Sequence, residues 1–363
     1  MGRKTAFLYH DDFLKYQFGE NHPFQPIREK MTLDTLQSLG VFDEDNVVMT
    51  PRQVDLDILM TVHSEGYIEQ VEELSKLGGL LDRGDTPASP GLYEGALMAV
   101  GATADAARGV ARGEFDHAFN SAGGLHHAFP DRAAGFCVFN DIAVAVRILQ
   151  KEFGIGRIAV IDTDAHHGDG TQSIFYYEDV LTISLHRYGR AFFPGSGDSN
   201  EIGEMEGSGY NINIPLPHGV DDDLFLRAYN SIVIPALQAY LPDIIIHQFG
   251  VDGHYTDPLT DMKLTTRGYA ELVNRTHELA HELCGGKYLV LGGGGYDLDA
   301  TRRAWSIMYC IISGISVDDP QLRELHDQKT PSPDEAAIPI VLDVIEEVKQ
   351  QSLSNLEKLR HHA

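Results

Sequence analysis

The chain has 363 residues, 43% of them hydrophobic, a formal net charge of −26 and three cysteines. That acidity speaks against a phosphate-facing nucleic-acid surface and suits either solubility or a cationic substrate. No run approaches the roughly 20 apolar residues that span a bilayer, and the widely spaced Cys137, Cys284 and Cys310 fit a cytoplasmic protein with reduced thiols better than a disulfide framework.

The amino terminus runs directly into a strand pattern at residues 5–10, without the apolar core of a signal peptide. A proline-broken loop at 21–28 leads into a helix at 29–39. Apolar residues at three- and four-residue spacing make 52–77 mostly helical. Residues 78–91 read as loop with a polar tip at 84–87, followed by an alanine-rich helix at 92–112 and a short strand at 116–120. A glycine-led loop at 123–130 carries His126 and His127, and residues 135–141 open an apolar helix that runs to 153. The run 157–161 reads as a fully buried strand, with further strands at 180–185, 210–214, 243–249 and 287–291 and helices between most of them, notably 222–240 and 265–284. Continuous apolar strands alternating with helices predict an α/β fold, a single open parallel sheet of about eight strands with helices on both faces. No repeat or linker interrupts the chain before 318, so 1–363 is expected to be one domain. Residues 318–363 would be a peripheral segment, polar to 336 and ending in a helix over 338–360.

Sites in such sheets form beyond the carboxyl ends of the strands. Four polar clusters fall at that edge: 123–127, 162–169, 250–254 and 292–297. The densest holds Asp162, Asp164, His166, His167 and Asp169 at the end of a buried strand, where charges must be paired or bound to metal. A helix cap does not call for so many ionisable groups. Alternation along extended chain would point Asp162, Asp164 and His166 to one side. Asp164 and His166 then make a metal pair, with Asp252 as a third ligand from the end of the strand at 243–249. Three protein ligands leave a position open for water, the catalytic form of a zinc site, and Fe2+ also fits this oxygen and nitrogen set. Asp162 and Asp169 are free to back His126 and His127, fixing their tautomers and raising their basicity. A metal-bound water beside an Asp-backed histidine is equipment for hydrolysis. The glycines at 292–295 lack both G-x-G-x-x-G spacing and the Lys-Ser/Thr of a P-loop, so nucleotide binding is disfavoured. They allow close approach of backbone to a substrate, and Tyr296 beside them can donate to a developing oxyanion. Phe136 and Phe193 look like channel walls, with core packing as the plainer reading of either one.

The succession of His126 and His127, the 162–169 cluster, Phe192, Phe193, Pro194 and Gly195, Asp252, and the glycines before Tyr296 resembles the zinc-dependent histone deacetylase superfamily, an arginase/deacetylase-like fold. The run from Asn21 to Arg28 is similar to that family as well, and the likeness spans residues 5 to 315. It looks most like the class I-like prokaryotic acetoin-utilisation deacetylases: Gly123, Gly124 and Leu125 precede the histidine pair, and Asp169 stands where class II enzymes often carry asparagine. The resemblance implies zinc-dependent hydrolysis of the acetyl amide of N-acetyl-lysine in proteins, releasing acetate and lysine. Asp164, His166 and Asp252 would bind zinc. His127, backed by Asp169, would be the general base and later the acid, and His126, backed by Asp162, its electrostatic partner. Tyr296 would polarise the carbonyl. Phe136 and Phe193 would flank the acyl-lysine stem, with Leu259 nearby and Asp85 holding the substrate backbone at the rim. The resemblance also implies a structural K+ or Na+ held by Asp162, the Ser184 hydroxyl and the carbonyls of Asp164, His166 and Leu185. A second cation site would use Phe175, Val180 and Tyr210, and Arg28 would line an internal acetate exit. The implied partner is an acetylated protein or peptide, an acyl-CoA synthetase being the target that branch suggests. The long tails and basic nuclear signals of eukaryotic members are missing, which favours the cytoplasm.

Three other readings stay open. An acetylpolyamine deacetylase would use the same chemistry and suit the acidic charge, but its proline-glycine lead-in to the histidine pair is absent. A binuclear manganese ureohydrolase shares the fold class, yet Gly168 and His254 stand where its Asp-x-His-x-Asp and Asp-x-Asp motifs need acids. A catalytically dead acyl-lysine-binding module would not need the full set of catalytic groups present here.

Overall fold

The computed structural model describes residues 4–189, 191–316 and 318–353. Its strands are β1 (Thr5–Leu8), β2 (Asn46–Met49), β3 (Gly79–Leu80), β4 (Pro87–Ala88), β5 (His117–Asn120), β6 (Ile158–Asp162), β7 (Leu181–Arg187), β8 (Asn211–Leu216), β9 (Ile244–Gln248) and β10 (Tyr288–Leu291). Its helices are α1 (Ile27–Ser38), α2 (Leu56–Leu59), α3 (Glu65–Leu77), α4 (Leu92–Arg112), α5 (Asp141–Phe153), α6 (Asp169–Phe175), α7 (Asp222–Tyr240), α8 (Thr266–Cys284), α9 (Leu298–Ile312) and α10 (Ala337–Val348). β3 and β4 form a small antiparallel ribbon, and the other strands make one parallel sheet of 8, ordered β2-β1-β5-β10-β9-β6-β7-β8.

The central strands β1, β5, β10, β9 and β6 are buried along their whole length, which is why they carry apolar runs without alternation, with polar residues confined to strand ends. Helices α4 and α5 pack together, with α4 against β1, β5 and β10; α1, α9, α8 and α7 form a second continuous row. Among the described residues no helix is long and apolar enough to cross a membrane.

Local differences from the sequence reading have local causes. β2 escapes notice because it is an edge strand with little buried face, Val48 being 41% exposed. Residues 52–77 are not one helix: α2 lasts a single turn, and Ser64 starts α3 afresh by accepting from the Tyr67 backbone nitrogen. The helix α9 also went unmarked. Of the helix predicted over 338–360, residues 337–348 are α10 and a wide turn follows at Lys349–Leu353; the rest lies outside the described residues. The polar stretch after α9 is tied down by one buried carboxylate. Asp327 accepts from the Thr266 backbone (2.8 Å) and from Arg303 of α9 (2.9 Å), and its Oδ2 lies 2.8 Å from His254 Nε2.

The order of the sheet positions the site. The carboxyl ends of β5, β10, β9 and β6 are level, since Asn120 pairs with Leu291, Leu291 with Gln248 and Gln248 with Asp162. The four loops that leave them therefore open side by side.

Candidate active site

The loop after β5 is built by polar groups at the start of α5. Asp141 accepts from the backbone nitrogens of Gly124 (3.0 Å) and Leu125 (2.7 Å) and from the Thr103 hydroxyl (2.6 Å). Asn140 caps α5 through the Ala143 nitrogen (2.9 Å) and donates to the Ala128 carbonyl (3.1 Å). Both side chains are fully buried, and together they hold both flanks of the His126–His127 pair. The sequence reading missed them; a polar pair capping an otherwise apolar helix was the available signal.

His126 Nδ1 lies 2.6 Å from Asp162 Oδ2, and His127 Nδ1 lies 2.7 Å from Asp169 Oδ1. A carboxylate can only accept, so each imidazole donates from Nδ1 and turns Nε2 the other way. The rings sit 4.0 Å apart. Burial opposes protonation of both. For His126 the Asp162 and Asp164 charges outweigh it and push the ring up to about 9. For His127 burial is reinforced by the His126 charge, and the ring falls to about 4 despite Asp169. Their surroundings thus push the two histidines in opposite directions.

β6 ends at Asp162, so strand alternation does not continue to His166 as the sequence suggested. Two short turns replace it: Asp162 Oδ1 accepts from the Asp164 nitrogen (3.2 Å), and Asp164 Oδ1 from the His166 nitrogen (3.0 Å). Asp162 consequently faces His126, while Asp164 and His166 face Asp252.

Asp164, His166 and Asp252 are buried and bring one ligand atom each within 4.8 Å of the others. Asp164 Oδ2 accepts from Gln248 Nε2 (2.8 Å) and the Gly294 nitrogen (2.7 Å), and Asp252 Oδ1 accepts from the Ala165 nitrogen (2.7 Å). The remaining oxygens turn to His166 Nδ1, at 3.2 Å for Asp164 Oδ1 and 2.8 Å for Asp252 Oδ2. Burial and then the Asp164 charge push Asp252 up to about 7. Burial acts on Asp164 too, but the His126 and His166 charges hold its carboxyl well below the usual range. Two mutually repelling carboxylates, each oriented by outer hydrogen bonds, and an imidazole between them suit a divalent cation. Gln248 and Phe192, whose ring stacks on His166 at 5.1 Å and 6°, complete this centre and were not foreseen as site residues. The glycine loop approaches the acids rather than open space: a Cβ on Gly294 would lie 2.4 Å from Asp252 Oδ2.

The other expected residues surround this centre unevenly. Tyr296 is half-buried, packs edge-on to Phe136 at 5.8 Å, and is anchored through its backbone nitrogen to Asp257 Oδ2 (2.8 Å). Burial, then the Asp252 and Asp164 charges, hold its phenol well above the ordinary value, so it stays a donor. Phe136 takes φ 66°, costly for a residue with a side chain, and is clamped by the Tyr16 hydroxyl donating to its carbonyl (2.7 Å). Phe193 is 41% exposed and packs edge-on to His127 at 4.9 Å. Gly135 lies between them, where a Cβ would be 2.4 Å from the His127 ring. Asp85 is exposed in the turn of the β3–β4 ribbon and, with Phe193, lines an open groove of about 1050 Å³. Leu259 is 37% exposed, on the loop that Asp257 also holds (2.9 Å). Ser184 pairs with Asp162 across the sheet, its hydroxyl 2.9 Å from His186 Nδ1, and Leu185 follows it, fully buried. Phe175 closes α6, and Val180 and Tyr210 stand just before β7 and β8. Arg28 is buried, donates to the Gly295 carbonyl (2.9 Å) and sits over the Phe24 and Trp305 rings.

Comparison with known proteins agrees with this geometry. Residues 22–312 match the histone deacetylase domain model. The chain is 42% identical over 324 residues to the acetoin utilization protein AcuC of Bacillus subtilis, covering 86% of this chain and 83% of that one. It is 38% identical over 300 residues to a probable deacetylase of Archaeoglobus fulgidus, covering 81% and 82%. Among solved structures, the HDA15 HD domain superposes with a TM-score of 0.84 at 29% identity, over 99% of this chain and all of that one. The chain belongs to the histone deacetylase family, and its activity is that of a deacetylase.

Proposed function

We propose that this member of the histone deacetylase family hydrolyses the acetyl amide of N-acetyl-lysine in proteins or peptides, giving acetate and a free lysine. One observation carries the reading: two Asp-backed imidazoles stand beside a buried Asp-His-Asp set at one sheet edge. Asp164, His166 and Asp252 would hold the divalent ion, zinc by donor type, with Fe2+ the alternative. When bound, that ion supplies Lewis acidity toward the acetyl carbonyl and acidifies water. His127 is the general base: its Nδ1–H is committed to Asp169, and burial keeps Nε2 unprotonated and ready to take a proton from water. His126, held charged by Asp162, stabilises negative charge beside it, and a histidine returns a proton to the leaving lysine amine. The Tyr296 hydroxyl donates to the carbonyl oxygen as charge develops.

Phe136 and Phe193 flank the acyl-lysine stem, Leu259 lies near it, and Asp85 engages the substrate backbone. The open groove of about 1050 Å³ beside Asp85 and Phe193 supports a peptide substrate, because a slender polyamine needs no such space. Asp162, Ser184 and the carbonyls of Asp164, His166 and Leu185 would hold a structural K+ or Na+, with a second cation at Phe175, Val180 and Tyr210 and an acetate exit at Arg28. The three cysteines are free and buried, in keeping with cytoplasmic action on a target such as an acyl-CoA synthetase. The direct test compares turnover of an acetyl-lysine peptide with acetylspermidine. Higher kcat/KM on the peptide is expected; preference for the polyamine would overturn the protein substrate.

A further inference from the structure

We propose a second divalent metal site at the opposite, amino-terminal edge of the sheet, formed by His117, His277 and His281. His117 is the first residue of β5, so the strand itself separates it from the catalytic loop that follows Asn120. His277 and His281 are one turn apart on α8, which puts both rings on the same helix face. The three Nε2 atoms converge: 3.0 Å between His117 and His277, 3.1 Å between His277 and His281, and 3.2 Å between His117 and His281.

Hydrogen bonding among these rings cannot account for that triangle. A ring nitrogen either donates or accepts, so at most two of three edges can be satisfied at once, and the third sets two lone pairs or two N–H groups against each other. A cation satisfies all three together. A zinc-class ion about 2.05 Å from each nitrogen would sit about 1 Å out of their plane. His117 is prepared for that role. The Thr5 hydroxyl donates to the Ile312 carbonyl (3.2 Å) and so presents a lone pair to His117 Nδ1 (3.4 Å). That places the proton on Nδ1 and turns the Nε2 lone pair toward the other two rings, the outer contact a ligating histidine usually has. Gly286, at φ 87° after α8, makes room for His281: a Cβ there would meet the ring at 2.9 Å. The carbonyl end of α8 adds a favourable field for a cation.

His117 and His277 are buried and His281 is half-buried, bordering a cavity of about 290 Å³ with Asn274, Glu278 and Ser316. The fourth coordination position can therefore be filled by water. An all-imidazole set selects zinc, nickel or copper rather than magnesium or calcium. The ion would clamp the end of α8 to the start of β5, a structural role independent of deacetylation.

The test uses untagged full-length protein, stripped with chelator, titrated with zinc chloride and measured by elemental analysis after desalting. Two equivalents of zinc are expected for the wild type. His281→Gln should retain one equivalent and deacetylate within about twofold of the wild type, since its ring lies far from the reacting groups. Asp252→Ala should also retain one equivalent, and this arm decides the matter should His281→Gln fail to fold. A wild type that saturates at one equivalent, or an Asp252→Ala protein that binds none, would overturn the proposal; the latter result with two ions in the wild type would indicate a binuclear catalytic centre instead.

Discussion

Replacing Gly294 with alanine adds one methyl group beside the proposed metal site of Asp164, His166 and Asp252 without altering any of the three. Gly294 does not use a positive φ, so its backbone can accept alanine. The new Cβ, however, would lie 2.4 Å from Asp252 Oδ2 and 2.8 Å from Asp164 Oδ2. Ordinary contact requires roughly 1 Å more, whereas metal–ligand distances tolerate only about 0.2 Å. One or both carboxylates must swing away, and the hydrogen bond from the Gly294 nitrogen to Asp164 (2.7 Å) is disturbed with them. Disrupting the groups that orient ligands typically weakens metal binding about 10- to 100-fold. A 1 Å misplacement costs about 100-fold in rate, or about 2.7 kcal/mol of barrier. The assay is turnover of an acetyl-lysine peptide over a range of free zinc, with a thermal melt on the same samples. We expect kcat/KM to fall about 100-fold, partly recovered at high zinc, while the fold survives because no buried apolar contact is lost. Unchanged activity and zinc affinity would refute the assignment of Asp164 and Asp252 as ligands.

Tyr296→Phe should lower kcat about 10²- to 10³-fold with little change in KM, as for loss of one oxyanion donor; undiminished turnover of an acetyl-lysine peptide would remove Tyr296 from the mechanism. Chelation should abolish deacetylation, and added Zn2+ or Fe2+ should restore it; activity that persists in verified metal-free protein would contradict a metal-dependent reaction. Asp327→Ala breaks a buried network with His254, Thr266 and Arg303 and should destabilise the fold by about 3 kcal/mol in urea unfolding at neutral pH. Although burial opposes it, those partners hold the Asp327 carboxyl below the ordinary range, so its contribution is complete above the unfolded value of about 3.9 and declines as pH falls. The difference between wild type and variant should therefore shrink on acidification; a constant difference from pH 7 to pH 3 would show that the charge is not responsible.

Much of this protein was legible in its sequence because the signals are local. Uninterrupted apolar runs such as 244–246 mark strands covered on both faces, and the crowding of acids and imidazoles at 162–169 after one of them marks a site. Residue type and position at strand ends made Asp164, His166 and Asp252 a candidate ligand set and offered two spare acids to two histidines, and the family resemblance assigned which acid backs which ring. What escaped depends on neighbours that are distant along the chain. Asp141 reads as an ordinary helix start until its oxygens are seen on Gly124 and Leu125. Gln248 reads as a strand residue until register sets it level with Asp162 and in reach of Asp164. His117, His277 and His281 carry no motif spacing together, and only the packing of α8 beside the start of β5 brings their Nε2 atoms to within 3.2 Å. Composition and periodicity determined the layers, the sheet type and the chemistry on offer. Tertiary structure decided which loops meet, because β9 and β10, which follow β7 and β8 along the chain, lie between β5 and β6 in the sheet, and that strand order, invisible to local periodicity, brings the site's loops together.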